Sequence, residues 1–142
     1  MEFENEFDYP DTNNLTLAII GLGYVGLPLG VELAKKQKCV LKGFSLSRKV
    51  IGFDIDKKRI KELKEGFDRT NELSKNDVKA LDSIILSHET GSLVDVDVFI
   101  ITVPTPINNF NKPDLKALSN ASKLVGESIK RRLTLTDKVN IP

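Results

Sequence analysis

Three glycines, Gly21, Gly23 and Gly26, stand in the stretch LAIIGLGYVGLPLG (17–30), directly behind a short apolar run and ahead of apolar residues at helical spacing. The pattern is G-x-G-x-x-G, and each glycine meets a different demand. The first permits a tight turn, the second lets backbone N–H groups approach a pyrophosphate, and the third lets helix and strand pack closely. A helix opening here adds about half a positive charge at its N-terminus. The chemistry on offer is therefore the holding of a dinucleotide rather than the breaking of a bond.

Such a site also needs a carboxylate for the ribose hydroxyls, usually about 20 residues beyond the glycines. Two near-copies of one apolar stretch compete for that place, KCVLKGF (38–44) and KVIGFD (49–54). Asp54 is favoured although it lies 33 residues past Gly21, because the first copy ends on the neutral Ser45 and DIDKKRI opens a helix directly after the second. The surplus then forms an insert at about 39–49. A carboxylate at 54 repels a 2′-phosphate and favours NAD over NADP, with Arg59 nearby as a counterweight. Val103, Pro104 and Thr105 follow a second apolar run, at a strand's carboxyl end, where sheets of this class bind ligands.

These residues need strands and helices in alternation to position them. Leu15 to Ile20 reads as a buried strand, followed by a helix to about Lys36, a strand over Val50 to Asp54, and a helix over Lys57 to Glu65 that Gly66 caps. Ser74 caps a short helix to about Asp82, Ile84 to Leu86 forms a third strand, and Val96 to Val103 is the strongest strand signal. Asp114 opens a long helix with Leu115, Leu118, Ala121, Leu124, Val125 and Ile129 inward. The expected fold is α/β, a Rossmann-type doubly wound parallel sheet that is incomplete at its C-terminal end. Residues 1–14 are expected to be a flexible acidic leader, 15–132 the dinucleotide-binding domain, and 133–142 a divergent tail.

At 142 residues the chain suits one domain, and 40% apolar with 29% charged residues reads as a soluble globular protein without a membrane span or secretory signal. The single cysteine, Cys39, fits a reducing cytoplasm. The net charge of +1 hides six acids and no Lys or Arg in residues 1–34. Eleven basic residues lie between Lys35 and Lys64, but without the interleaved stacking aromatics that single-strand binders require, so they read as solvated faces rather than a nucleic-acid surface. Glu65 and Asp68 read as a helix end and a solvated loop, Cys39 as an unactivated thiol, and His88 as a loop histidine.

Four stretches together, AIIGLGYVGLPLGVELAK, VIGFDIDKKRIKELKEGFDRTNEL, IITVPTPIN and KPDLKALSNASKLVGESIK, resemble the N-terminal domain of the UDP-glucose/GDP-mannose dehydrogenase family. TVPTPIN followed by PDL is most similar to the UDP-N-acetylhexosamine 6-dehydrogenases of bacterial capsule and O-antigen synthesis, and counts against a hydroxyacid or hydroxyisobutyrate dehydrogenase. The resemblance implies an NAD-dependent oxidation of a sugar C6 alcohol to a carboxylate, through an aldehyde and a thioester. It also implies that Gly21, Gly23, Tyr24, Val25 and Gly26 hold the pyrophosphate, and that Asp54 and Arg59 serve the adenosine side. Val103, Pro104 and Thr105 would lie along the nicotinamide half. The family's nucleophilic cysteine, and the strand reading roughly ESTVYPG, have no counterpart here. After Arg131 the sequence departs from the family pattern, as an early truncation or altered frame would produce. The expectation is a cofactor-binding portion without turnover of its own, which meets a UDP-sugar only in the complete enzyme and could form a homo-oligomer. The alternative is a non-catalytic NAD-binding or partner-binding module.

Overall fold

A computed structural model of the chain describes residue 11 and residues 13–139. Four strands, β1 (Thr16–Ile20), β2 (Lys49–Phe53), β3 (Ile84–Ser87) and β4 (Val98–Ile101), form one sheet in the order β3-β2-β1-β4. All three pairings are parallel. Parallel strands covered on both faces need apolar side chains in both directions, which is why TLAII and KVIGF lack the alternation of a half-solvated strand. β1 runs between β2 and β4, with Ala18 opposite Ile51 on one side and Phe99 on the other.

The pleat divides β1 between two cores. Leu17 and Ile19 pack with Leu27 and Val31 of α1 (Gly26–Lys35) and with Ile60 and Leu63 of α2 (Lys57–Lys64). Ala18 and Ile20 pack on the opposite face with Phe53, Leu93, Val96 and Ala121, the last on α4 (Lys116–Val139). The result is a helix–sheet–helix arrangement in which β1 is central and almost wholly buried.

Helix ends follow the expected chemistry. Asp56 caps α2 by accepting from the Lys58 N–H, and Gly66, at φ 77°, ends it with the paired Gly66-to-Leu63 and Phe67-to-Glu62 backbone bonds of a Schellman motif. Ser74 and Asp77 form a capping box at the start of α3 (Lys75–Ala80), with a 3₁₀ turn over Leu81–Ser83 completing the segment. Asp114 accepts from the Lys116 N–H at the start of α4. That helix continues through 133–139, within the stretch the sequence sets apart as a tail.

β4 is shorter than the expected 96–103. Its neighbours still pair with β1, through Asp97 N–H to Thr16 and Thr102 N–H to Ile20, and their side chains add bonds there, Asp97 Oδ2 accepting from the Thr16 N–H and Thr102 Oγ1 donating to the Gly21 carbonyl. The leader lies outside the described residues except at 11, 13 and 14, where the Asn13 carbonyl accepts from the Ser47 N–H at 2.7 Å. The two near-copies resolve cleanly. Residues 49–53 are strand β2, whereas 38–45 fold back as a hairpin, with an antiparallel bridge between Lys38 and Ser45. Gln37 closes its neck, its side chain accepting from the Arg48 N–H and donating to the Ala34 carbonyl.

Candidate cofactor site

The strand order reverses between β1 and β4, and sheets of this kind bind ligands in the crevice that such a reversal opens beyond the strands' carboxyl ends. A cleft of about 690 Å³ lies there, reached by the ends of β1, β2 and β4 and by the first turns of α2 and α4.

The glycine turn shows why each position excludes a side chain. Gly21 has φ 101°, and a Cβ on it would lie 3.1 Å from the Thr102 carbonyl oxygen, so both conformation and space demand glycine. At Gly26 a Cβ would collide with the Gly21 carbonyl oxygen and Thr102 Oγ1, because α1 starts directly against the turn. Gly23 differs. It lines the cleft, and nothing lies within 4 Å of where its Cβ would be. Two glycines thus serve the fold, and the third leaves backbone bare toward the cleft.

Three side chains hold this turn. Asp54 Oδ2 accepts from the Leu22 N–H at 2.9 Å while its Oδ1 accepts from the Asp56 N–H, so the carboxylate ties the glycine turn to the end of β2. Thr102 Oγ1 donates to the Gly21 carbonyl at 2.7 Å and fixes the turn to β4. Arg59, buried on α2, donates from Nε to the Leu22 carbonyl at 2.9 Å. Its Nη2 reaches Asp68 Oδ1 at 2.9 Å and Thr70 Oγ1 at 3.3 Å, and its buried Nη1 has no hydrogen-bond partner among the described residues.

Asp68 corrects the sequence reading. Its side chain is only 4% exposed, because the loop after Gly66 turns it inward onto Arg59 rather than out to water. Burial opposes its ionisation, but hydrogen bonds from the Thr70 hydroxyl, the Arg59 guanidinium and the Thr70 and Glu72 N–H groups outweigh burial and hold its carboxyl at about 2. Glu65 does sit exposed at a helix end. Cys39 lies in the hairpin, and His88 follows β3 with Nε2 2.8 Å from Glu89; neither lines the cleft.

Of the residues singled out from the sequence, Gly21, Gly23, Asp54, Arg59, Val103 and Pro104 line the cleft. Gly26 is buried beneath it at the start of α1, and Tyr24, Val25 and Thr105 are exposed outside its lining. Sequence reasoning missed Thr102, Arg69, Thr70 and Asn120, which also line it. Thr102 carried a signal, a hydroxyl ending an apolar run at the strand's carboxyl end, whereas Arg69 and Thr70 are brought in only by the path of the loop.

The site fits a dinucleotide on observations of its own: bare backbone at Gly23, an orphaned donor at Arg59 Nη1, and a carboxylate at the end of β2. Comparison with known proteins agrees. Residues 15–142 match the model of the "UDP-glucose/GDP-mannose dehydrogenase family, NAD binding domain". The chain is 46% identical over 116 residues to Protein CapL of Staphylococcus aureus, covering 82% of this chain and 24% of that protein. It is 42% identical over 119 residues to a UDP-N-acetyl-D-glucosamine 6-dehydrogenase of Salmonella typhi, covering 84% and 25%. Among solved structures, a UDP-D-ManNAc dehydrogenase from Pyrococcus horikoshii matches with a TM-score of 0.63 at 28% identity, over 81% of this chain and 26% of that one. The chain spans about a quarter of the length of these relatives. By motif, fold and similarity, the chain belongs to the UDP-glucose/GDP-mannose dehydrogenase family, as its NAD-binding domain.

Proposed function

We propose that this chain is the cofactor-holding portion of a UDP-N-acetylhexosamine 6-dehydrogenase that works in the cytoplasm. The observation that carries the reading is the glycine turn, tied by Asp54, Thr102 and Arg59 into a cleft at the strand reversal. The similarity to a UDP-N-acetyl-D-glucosamine 6-dehydrogenase supports the sugar class. When bound, NAD supplies a hydride acceptor. In this reading the bare backbone at Gly23 and the first turn of α1 face its pyrophosphate, with Tyr24 and Val25 beside them. Asp54 and Arg59 serve the adenosine ribose, and Val103, Pro104 and Thr105 lie along the nicotinamide half.

What the chain contributes is binding and orientation. Substrate oxidation is proposed for the complete protein, because the chain spans about a quarter of the length of its relatives and, among the described residues, the cleft is lined by no cysteine or histidine. Calorimetric titration with NAD is expected to show one site per chain, and absence of binding at millimolar NAD would end this reading. Mixing the chain with NAD and UDP-N-acetylglucosamine is expected to give no increase in absorbance at 340 nm, and sustained NADH formation would show that the chain turns over by itself.

A further inference from the structure

We propose that Asp68 is a specificity-determining positioning residue: by fixing Arg59 inward, it makes the cleft select a dinucleotide with free adenosine ribose hydroxyls over one bearing a 2′-phosphate. The proposal rests on the NAD reading above. An arginine shortly after the acid that ends the second strand stands where folds of this type take a 2′-phosphate. Arg59 occupies that place in sequence, five positions after Asp54, so in the sequence it stands as a counterweight to the NAD preference that Asp54 implies.

The structure closes one option. The Arg59 side chain is 5% exposed, with Nε committed to the Leu22 carbonyl and Nη2 to Asp68 and Thr70. Asp68 cannot follow Arg59 outward, because its Oδ2 also accepts from the Glu72 N–H at 2.9 Å and the Leu73 N–H at 3.2 Å. Parting a buried pair leaves an uncompensated charge, which is strongly unfavourable. What remains is Nη1 alone, whose two N–H groups have no partner among the described residues but whose buried position gives a bulky phosphate dianion no open approach.

The other cleft arginine is engaged as well. Arg69 donates to Glu62 at 2.5 Å and to Asp56 at 3.1 Å. A 2′-phosphate at this end would therefore face the Asp54 carboxylate, while Arg59 is held by Asp68 and Arg69 is shared between Glu62 and Asp56. The discrimination is built from repulsion and occupied partners, with Asp68 as the group that keeps Arg59 occupied.

The test compares affinities for NAD and NADP in the wild-type chain, Asp68→Asn, Asp68→Glu, Thr70→Val and Asp68→Asn combined with Arg59→Met, with circular dichroism as the folding check. The wild type is expected to prefer NAD strongly. Asp68→Asn should cut that preference by about tenfold through tighter NADP binding, Asp68→Glu should retain it, and the double variant should lose the NADP gain. Thr70→Val removes one of the two holds on Nη2 and should shift the preference the same way, so it decides the matter if Asp68→Asn does not fold. A merely structural role weakens both cofactors together. An unchanged NADP-to-NAD ratio in the folded variants, with wild-type NAD binding intact, overturns the proposal. Failure of the wild type to bind NAD would instead strike the functional reading itself.

Discussion

Gly23 and Gly26 belong to one motif but answer to different forces, and substitution separates them. Gly23→Ala places a methyl group in open space facing the cleft, so the unfolding midpoint should stay within a few degrees while NAD affinity falls at least tenfold in a titration. Gly26→Ala drives a methyl group into the Gly21 carbonyl and Thr102 hydroxyl, and overpacking of that kind costs about 1–3 kcal/mol, so both stability and binding should fall. Asp68 carries the residue-scale pH dependence. Its carboxyl titrates at about 2 in the folded chain against an ordinary 3.8, so its stabilisation is complete above the unfolded value and is lost as pH falls from 3.8 through 2. The difference corresponds to about 2 kcal/mol. Urea unfolding should show the wild type more stable than Asp68→Asn at pH 6, with the gap shrinking toward zero by pH 2; a gap that persists at pH 2 would remove ionisation as its source.

The elements divide the labour by position. The carboxyl ends of β1, β2 and β4 present the glycine turn, Asp54 and Val103 to the cleft. The hairpin over 38–45 joins the end of α1 to the start of β2, at the amino-terminal ends of the strands, away from the cleft at their carboxyl ends. Its tip exposes Val40 and Leu41 almost fully, while Leu46 and the Gln37 clamp secure its neck. Replacing 38–45 by an Asn-Gly turn between the clamped ends should leave NAD affinity within about twofold, since closing a shorter loop costs little and no cleft contact is touched. A tenfold loss in the same titration would show that the insert reaches the cofactor site. The strand and helix periodicities were legible because buried parallel strands and one-sided helices impose them on the sequence. The boundaries were less so, since β4 spans Val98–Ile101 and the residues flanking it, Asp97 and Thr102, make long-range side-chain bonds that no local pattern encodes.

At the scale of the molecule, four parallel strands and their helices form one cofactor-holding unit, and among the described residues no helix is long and apolar enough to cross a membrane. β4 stands at the sheet's edge, with its side chains only partly covered, whereas β1 is buried on both sides. The sequence by itself determined the fold class, the glycine turn and its acid, because hydrophobic period, helix caps and a backbone-defined motif are local and leave their mark residue by residue. The tertiary structure supplies the reason that the second of the two similar stretches, favoured from the sequence, is the strand and the first is not. Pairing with β1 requires a partner that the first copy, closed on itself as a hairpin, does not provide. Only the tertiary structure decided the fate of Arg59 and Asp68. Whether a charge faces a ligand or is neutralised by another nine residues away depends on how the loop after Gly66 turns, and that turn brings Asp68 back against the buried guanidinium.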